Sequence, residues 1–132
     1  MADTEDPTDW REMREFAAVD LTQSFLLSCG FESSSLLIDV DLFLTPEHPL
    51  YEQPRPSQKV CIRPAVIEFP YCDAVRAAGQ REALEPAAVS RRIEHGAFSG
   101  LRRVRDGHYE ISGRFGTFLI DAERPLLRLK GS

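Results

Sequence analysis

Between Leu36 and Leu44 the chain alternates with a period of two. Leu36, Ile38, Val40, Leu42 and Leu44 fall on one side, and Leu37, Asp39, Asp41 and Phe43 on the other. Successive side chains of a strand point to opposite faces, so this spacing predicts a half-buried strand with one wholly apolar face. Residues 23–32 also have strand composition and end at Ser33, Ser34 and Ser35, which completes a hairpin. Upstream, Trp10, Met13, Phe16 and Ala17 recur at helical spacing, with Asp9 and Glu12 placed as a capping box. A short helix over residues 9–17 is expected, docked by its aromatic face. Residues 1–8 have no apolar anchor and read as a disordered tail, leaving 9–132 as a single β-rich domain.

Residues 45–58 carry four prolines and form a long surface loop. Strand character resumes from Val60 to Phe69, and Pro64 within it implies an edge position or a bulge. Residues 70–96 are the hardest to read. Ala74–Ala78 and Ala83–Ile93 are rich in helix formers, but Gly79 and Pro86 interrupt them. Proline at a first turn and glycine past an end place a helix from about Pro86 to Gly96, with Val89, Ile93 and Phe98 inward. The last third reads as a meander. Asp106-Gly107 is a hairpin turn between Leu101–Arg105 and His108–Ser112; Thr117–Asp121 and Leu126–Lys130 follow beyond further turns.

The expected fold class is therefore α+β, mainly β. It is a single antiparallel sheet or partly open barrel of six to seven strands, with a short N-terminal helix and one helical insertion. Ile38, Val40, Leu42, Ile67, Phe118 and Ile120 should form its core.

Composition narrows the function classes. With 132 residues, 42% hydrophobic and 28% charged, the chain suits one globular domain. A net charge of -5 argues against nucleic acid or anionic lipid as partner. No apolar run is long enough for a membrane span, and the acidic first nine residues do not open like a signal peptide, so a cytoplasmic location is expected. Acids dominate residues 1–60 and bases dominate 61–132, an asymmetry that either marks an interaction surface or is mixed away by folding.

Candidate chemistry is sparse. Cys29, Cys61 and Cys72 do not make a disulfide framework and read as reduced, partly buried thiols. No histidine or cysteine pair has metal-ligand spacing, though Cys61, Cys72, His48 and His95 could assemble in space. Asp39 and Asp41 share a strand face as a paired-carboxylate site would require, and a solvated polar face is the simpler reading. No histidine flanks a cysteine in a nucleophile signature, and Gly113–Gly116 is too short for a phosphate loop. Arg91, Arg92, Arg102, Arg103 and Arg105 could meet an acidic protein, although fourteen arginines against two lysines point first to compositional bias. No catalytic residue, metal or cofactor is nominated, and a non-enzymatic protein-binding role is expected. The proline-rich loop is the candidate surface, with His48, Tyr51 and Arg55 as its contacts. Leu50 and Tyr51 could equally fold back to cap the core.

Val40–Leu44, then His48, Pro49, Leu50 and Tyr51, then Gly113, Phe115–Ile120 and Pro125–Leu129 occur in an order that resembles a loose group of small bacterial β-rich proteins. Some similar-looking proteins serve as immunity proteins that neutralise a toxin by binding it. The resemblance implies a protein partner and carries no catalytic residue across. A barrel-like protein holding a small ligand is the alternative reading, and an enzyme the third.

Overall fold

The computed structural model describes residues 7–53 and 61–130, and within them antiparallel strands dominate. Nine strands run β1 (Thr8–Asp9), β2 (Val19–Glu32), β3 (Ser35–Leu44), β4 (Cys61–Phe69), β5 (Ala74–Ala77), β6 (Gly96–Arg105), β7 (His108–Gly113), β8 (Gly116–Asp121) and β9 (Leu126–Leu129). One α-helix, α1 (Pro86–Arg92), lies between β5 and β6. The strand order is β5-β8-β7-β6-β2-β3-β4-β9; β1 pairs with β6 on the side that β2 leaves, and the sheet does not close.

Two short connections dictate its shape. Residues 70–73 join β4 to β5, and residues 122–125 join β8 to β9. In each case the joined strands lie six strand spacings apart in the sheet. A flat sheet would separate them by about 29 Å, whereas a four-residue link spans at most about 18 Å. The sheet must roll, and its ends meet at the β2–β3 hairpin tip. There Asp73 N donates to Asp121 O (2.8 Å), Glu123 N to Pro70 O (2.9 Å) and Cys72 N to Ser34 O (2.7 Å).

Rolling encloses one apolar face. All five inward residues of β3, Leu36 to Leu44, are buried, as are Ile67, Phe118 and Ile120 from the sequence-based core. Across the roll Phe69 of β4 meets Tyr109 of β7, with ring centroids 5.4 Å apart. Val89 and Ile93 of α1 are buried, and Pro86 stands in the helix's first turn.

Five expectations are corrected. The helix over residues 9–17 is instead two 3-10 turns, Trp10–Glu12 and Arg14–Phe16, separated by extended Met13. Trp10 and Phe16, one in each turn, and Met13 between them are all buried, whereas Ala17 is exposed. Thr8, assigned to the tail, pairs with Arg103. Ala74–Ala77 is a strand despite its helical composition: Val75 and Ala77 bury while Ala74 and Arg76 face outward, and pairing with β8 overrides propensity. With β1 and β5 added, the strand count exceeds the expected six or seven. Pro64, finally, lies within an interior strand, with unbroken register to β3. Its carbonyl accepts from Lys130 N (2.9 Å), so its missing N–H faces Lys130 just past the end of β9, and proline forgoes only the reciprocal bond of that terminal pair.

The hairpin is irregular where β2 bulges. Between the pairs Asp20↔Phe43 and Phe25↔Asp41, five steps of β2 oppose two of β3. Ser24, fully buried, fills the gap: its hydroxyl accepts from Phe43 N (2.9 Å) and donates to Asp20 O (2.9 Å). It substitutes for ladder bonds that the bulge removes.

Ser24→Ala should therefore cost about 1–3 kcal/mol in urea unfolding, because the Phe43 amide loses the Ser24 hydroxyl as acceptor. Ile120→Ala should cost roughly 2–4 kcal/mol by the same measurement. A near-neutral result for Ile120 would place that side chain outside the core.

Candidate recognition surface

The roll uses one face of the sheet and leaves the other to solvent. Register fixes what that outer face of β2, β3, β4 and β9 carries. Leu37 pairs with Glu68 and Glu68 with Leu126; Asp39 with Val66 and Val66 with Arg128; Asp41 with Pro64; Phe43 with Ile62. On β2, Phe25 stands beside Asp41 and Ser28 beside Asp39. Large apolar side chains are unusually open here: Phe25 is 39% exposed, Ile62 44% and Leu126 49%. Carboxylates are interleaved with them. Asp39 accepts from Ser28 Oγ (3.1 Å) and pairs with Lys130 (2.6 Å), and Glu68 pairs with Arg128 (3.1 Å). Asp20, next to Phe43, takes hydrogen bonds from Thr22 N, Thr22 Oγ1 and Gln23 Nε2. Burial alone would raise its pKa, but the Gln23 and Thr22 bonds and the Arg11 charge hold it below the ordinary carboxylate value.

The loop after β3 borders this face. Successive turns fold it: His48 N donates to Thr45 O (2.9 Å), Tyr51 N to His48 O (3.0 Å) and Leu50 N to His48 Nδ1 (3.0 Å). Arg63 of β4 ties it down through Leu50 O (3.4 Å) and Glu52 (3.6 Å). Tyr51 is half-buried against the core, and Leu50 is left 50% exposed. Of the three residues nominated from sequence, His48 and Tyr51 thus sit on one folded turn; Arg55 lies outside the described residues.

Other nominated groups disperse. Cys61 and Cys72 flank opposite ends of β4 and cannot share a site. His95 packs against Phe25 with the rings tilted, centroids 5.2 Å apart, and no three His, Cys, Asp or Glu among the described residues cluster as metal ligands would. Burial pushes the Cys29 thiol up to about 12, with Cys72 and Asp39 adding to the effect. Burial likewise pushes Cys72 up to about 11. Neither is a ready nucleophile at neutral pH. Of the arginine cluster, Arg102 is taken by Glu110 (2.9 Å), Arg103 reaches Thr8 (3.4 Å), and Arg91 and Arg92 occupy the last turn of α1.

Among the described residues, grooves indent the surface at two places of note. One of about 530 Å³ lies at the hairpin tip between Ser33, Tyr71, Cys72 and Leu84. The other, about 320 Å³, lies beside Trp10, Asp20 and Thr45. Sequence reading missed Phe25, Ile62 and Leu126 as surface residues, since each looks like a core position until its register is known. The only signal was the half-apolar outer side of β3, Leu37 and Phe43. No protein-family model matches the chain, and no curated protein or solved structure is recognisably similar to it.

His48 gives this surface a pH dependence. Burial, with the Arg63 charge, lowers its pKa below the ordinary 6.5. Its Nδ1 must also stay unprotonated to accept the Leu50 amide. The unfolded chain therefore binds the proton first. The stability His48 contributes is complete above about pH 6.5 and is lost as pH falls through the lower folded value. NMR titration should find the His48 midpoint below 6.5, with Leu50 amide exchange accelerating over the same range; His48→Gln should flatten the acid limb of stability. A midpoint above 6.5 would contradict the geometry.

Proposed function

We propose that this chain is a non-enzymatic binding protein whose partner is another protein. The outer face of β2, β3, β4 and β9 and the turn carrying His48 and Tyr51 form its recognition surface. One observation carries the reading: open Phe25, Ile62 and Leu126 share a single sheet face with Asp20, Asp39, Asp41 and Glu68. Exposed apolar groups interleaved with charge are what a specific, reversible interface requires. Neutralisation of a toxin, as an immunity protein does, is the most specific form of this role, and it rests on the resemblance above. A ligand held inside the roll is less well supported, because Phe69, Tyr109, Phe118 and the aliphatic side chains fill the inward positions.

The test compares the wild type with Ile62→Lys and Phe25→Lys as immobilised baits. Proteins retained by the wild type are identified, then measured directly with purified protein, beginning with any toxin-like product of a neighbouring gene. Each substitution should weaken the partner by roughly thirty-fold, about 2 kcal/mol, while leaving the melting temperature almost unchanged. A partner bound equally by wild type and both variants would move recognition off this face.

A further inference from the structure

The sheet's two edges are not equivalent. At the β5 edge the chain covers itself: Leu84 N donates to Val75 O (2.8 Å) and Gln80 N to Ala77 O (3.0 Å). At the β9 edge nothing comparable occurs. Lys130 N bonds to Pro64 O, which sets the ladder's alternation, so Leu126, Arg128 and Lys130 turn their backbone groups toward β4. Leu127 and Leu129 turn theirs outward, and no backbone or side-chain partner meets them among the described residues. The 3-10 turn Arg14–Phe16 packs beside β9, and Glu15 pairs with Arg124 (3.0 Å), yet no hydrogen bond joins that turn to β9 itself. An unpaired edge of this kind is a template for another strand.

A second copy fits poorly. Antiparallel self-pairing must set outward residues opposite one another. Leu127 against Leu129 brings Arg128 onto the partner copy's Arg128, and Leu129 against Leu129 brings Arg128 onto its Lys130. Like charges directly opposite are destabilising. Leu127 against Leu127 leaves Leu129 facing Pro125, which has no N–H to give. What the edge accommodates is a strand of opposite charge. We propose that the β9 edge accepts an extended segment of a partner protein, with an acidic side chain opposite Arg128 and apolar side chains opposite Leu127 and Leu129. Arg128 is largely exposed and engages Glu68 through one nitrogen, so its guanidinium retains donors for an incoming carboxylate. Leu127 and Leu129 lie half-buried against the core, and apolar neighbours would extend that packing. The inference goes beyond the recognition face and fails separately from it, because its test touches neither Ile62 nor Phe25.

The probe is a blocked heptapeptide of alternating valine and glutamate, with its valine–lysine counterpart as control, titrated into the intact protein at neutral pH. Saturable binding of the glutamate peptide is expected, with slowed hydrogen exchange at the Leu127 and Leu129 amides and at least ten-fold weaker binding of the lysine peptide. Arg128→Glu, at an exposed position, should invert that preference while melting cooperatively like the wild type. The proposal is overturned if neither peptide slows those two amides, if both bind alike, or if Arg128→Glu leaves the preference unchanged. Sedimentation that reveals a dimer protecting the same amides would assign the edge to a second copy and overturn it too.

Discussion

The fold depends on a length constraint: two links of four residues each must join strands that stand at opposite ends of the sheet order. Neither link can reach across a flat sheet. The sheet therefore rolls until the Phe69 end of β4 and the Asp121 end of β8 come together at the hairpin tip. The rolled face becomes the core. Phe69 on Tyr109 is a contact between strands four places apart, made only because of that roll. Tightness of the seam shows in its backbone: Tyr71, inside the first link, takes a left-handed φ of 49° without being glycine.

The same constraint explains why recognition falls where it does. A sheet rolled on one face offers the other to solvent, and on β2, β3, β4 and β9 that face was never made wholly polar. The bulge in β2 matters here. By holding five steps against two through Ser24, it returns Phe25 to the outside beside Asp41, where an unbroken register would have set it elsewhere. Ser24 is thus a structural residue with a consequence for the surface. Arg63 performs a comparable task for the loop, keeping the His48–Glu52 turn against β4.

The sheet edges complete this division. Covering β5 with its own following segment leaves β9, at the other end of the strand order, with outward backbone groups that have no partner among the described residues. Short length and the charges of Arg128 and Lys130 are the usual defences of an exposed edge, and here they also restrict what could pair with it. Gly113 illustrates how little slack remains elsewhere: a Cβ there would overlap Ala97 O where the end of β7 lies against the start of β6.

Local pattern alone determined a good deal about this protein. The period of two in β3, the Pro86 helix start and the Asp106-Gly107 turn each rest on interactions within a few residues, and each was legible in the sequence. Its inward residues on β3, β4 and β8 follow from the same alternation. What tertiary structure alone decided involves partners far apart in the chain. Nothing near Leu126 says that β9 pairs with β4 and not β8; nothing near Ala74 overrides its helical composition except the β8 strand beside it. Trp10, Met13 and Phe16 have the spacing of one helix, and nothing local shows that the segment instead breaks into two turns at Met13. The outer face and the open edge are likewise products of pairing order. A side chain's exposure depends on which strand lies beside it, and alternation within one strand carries no information about its neighbour.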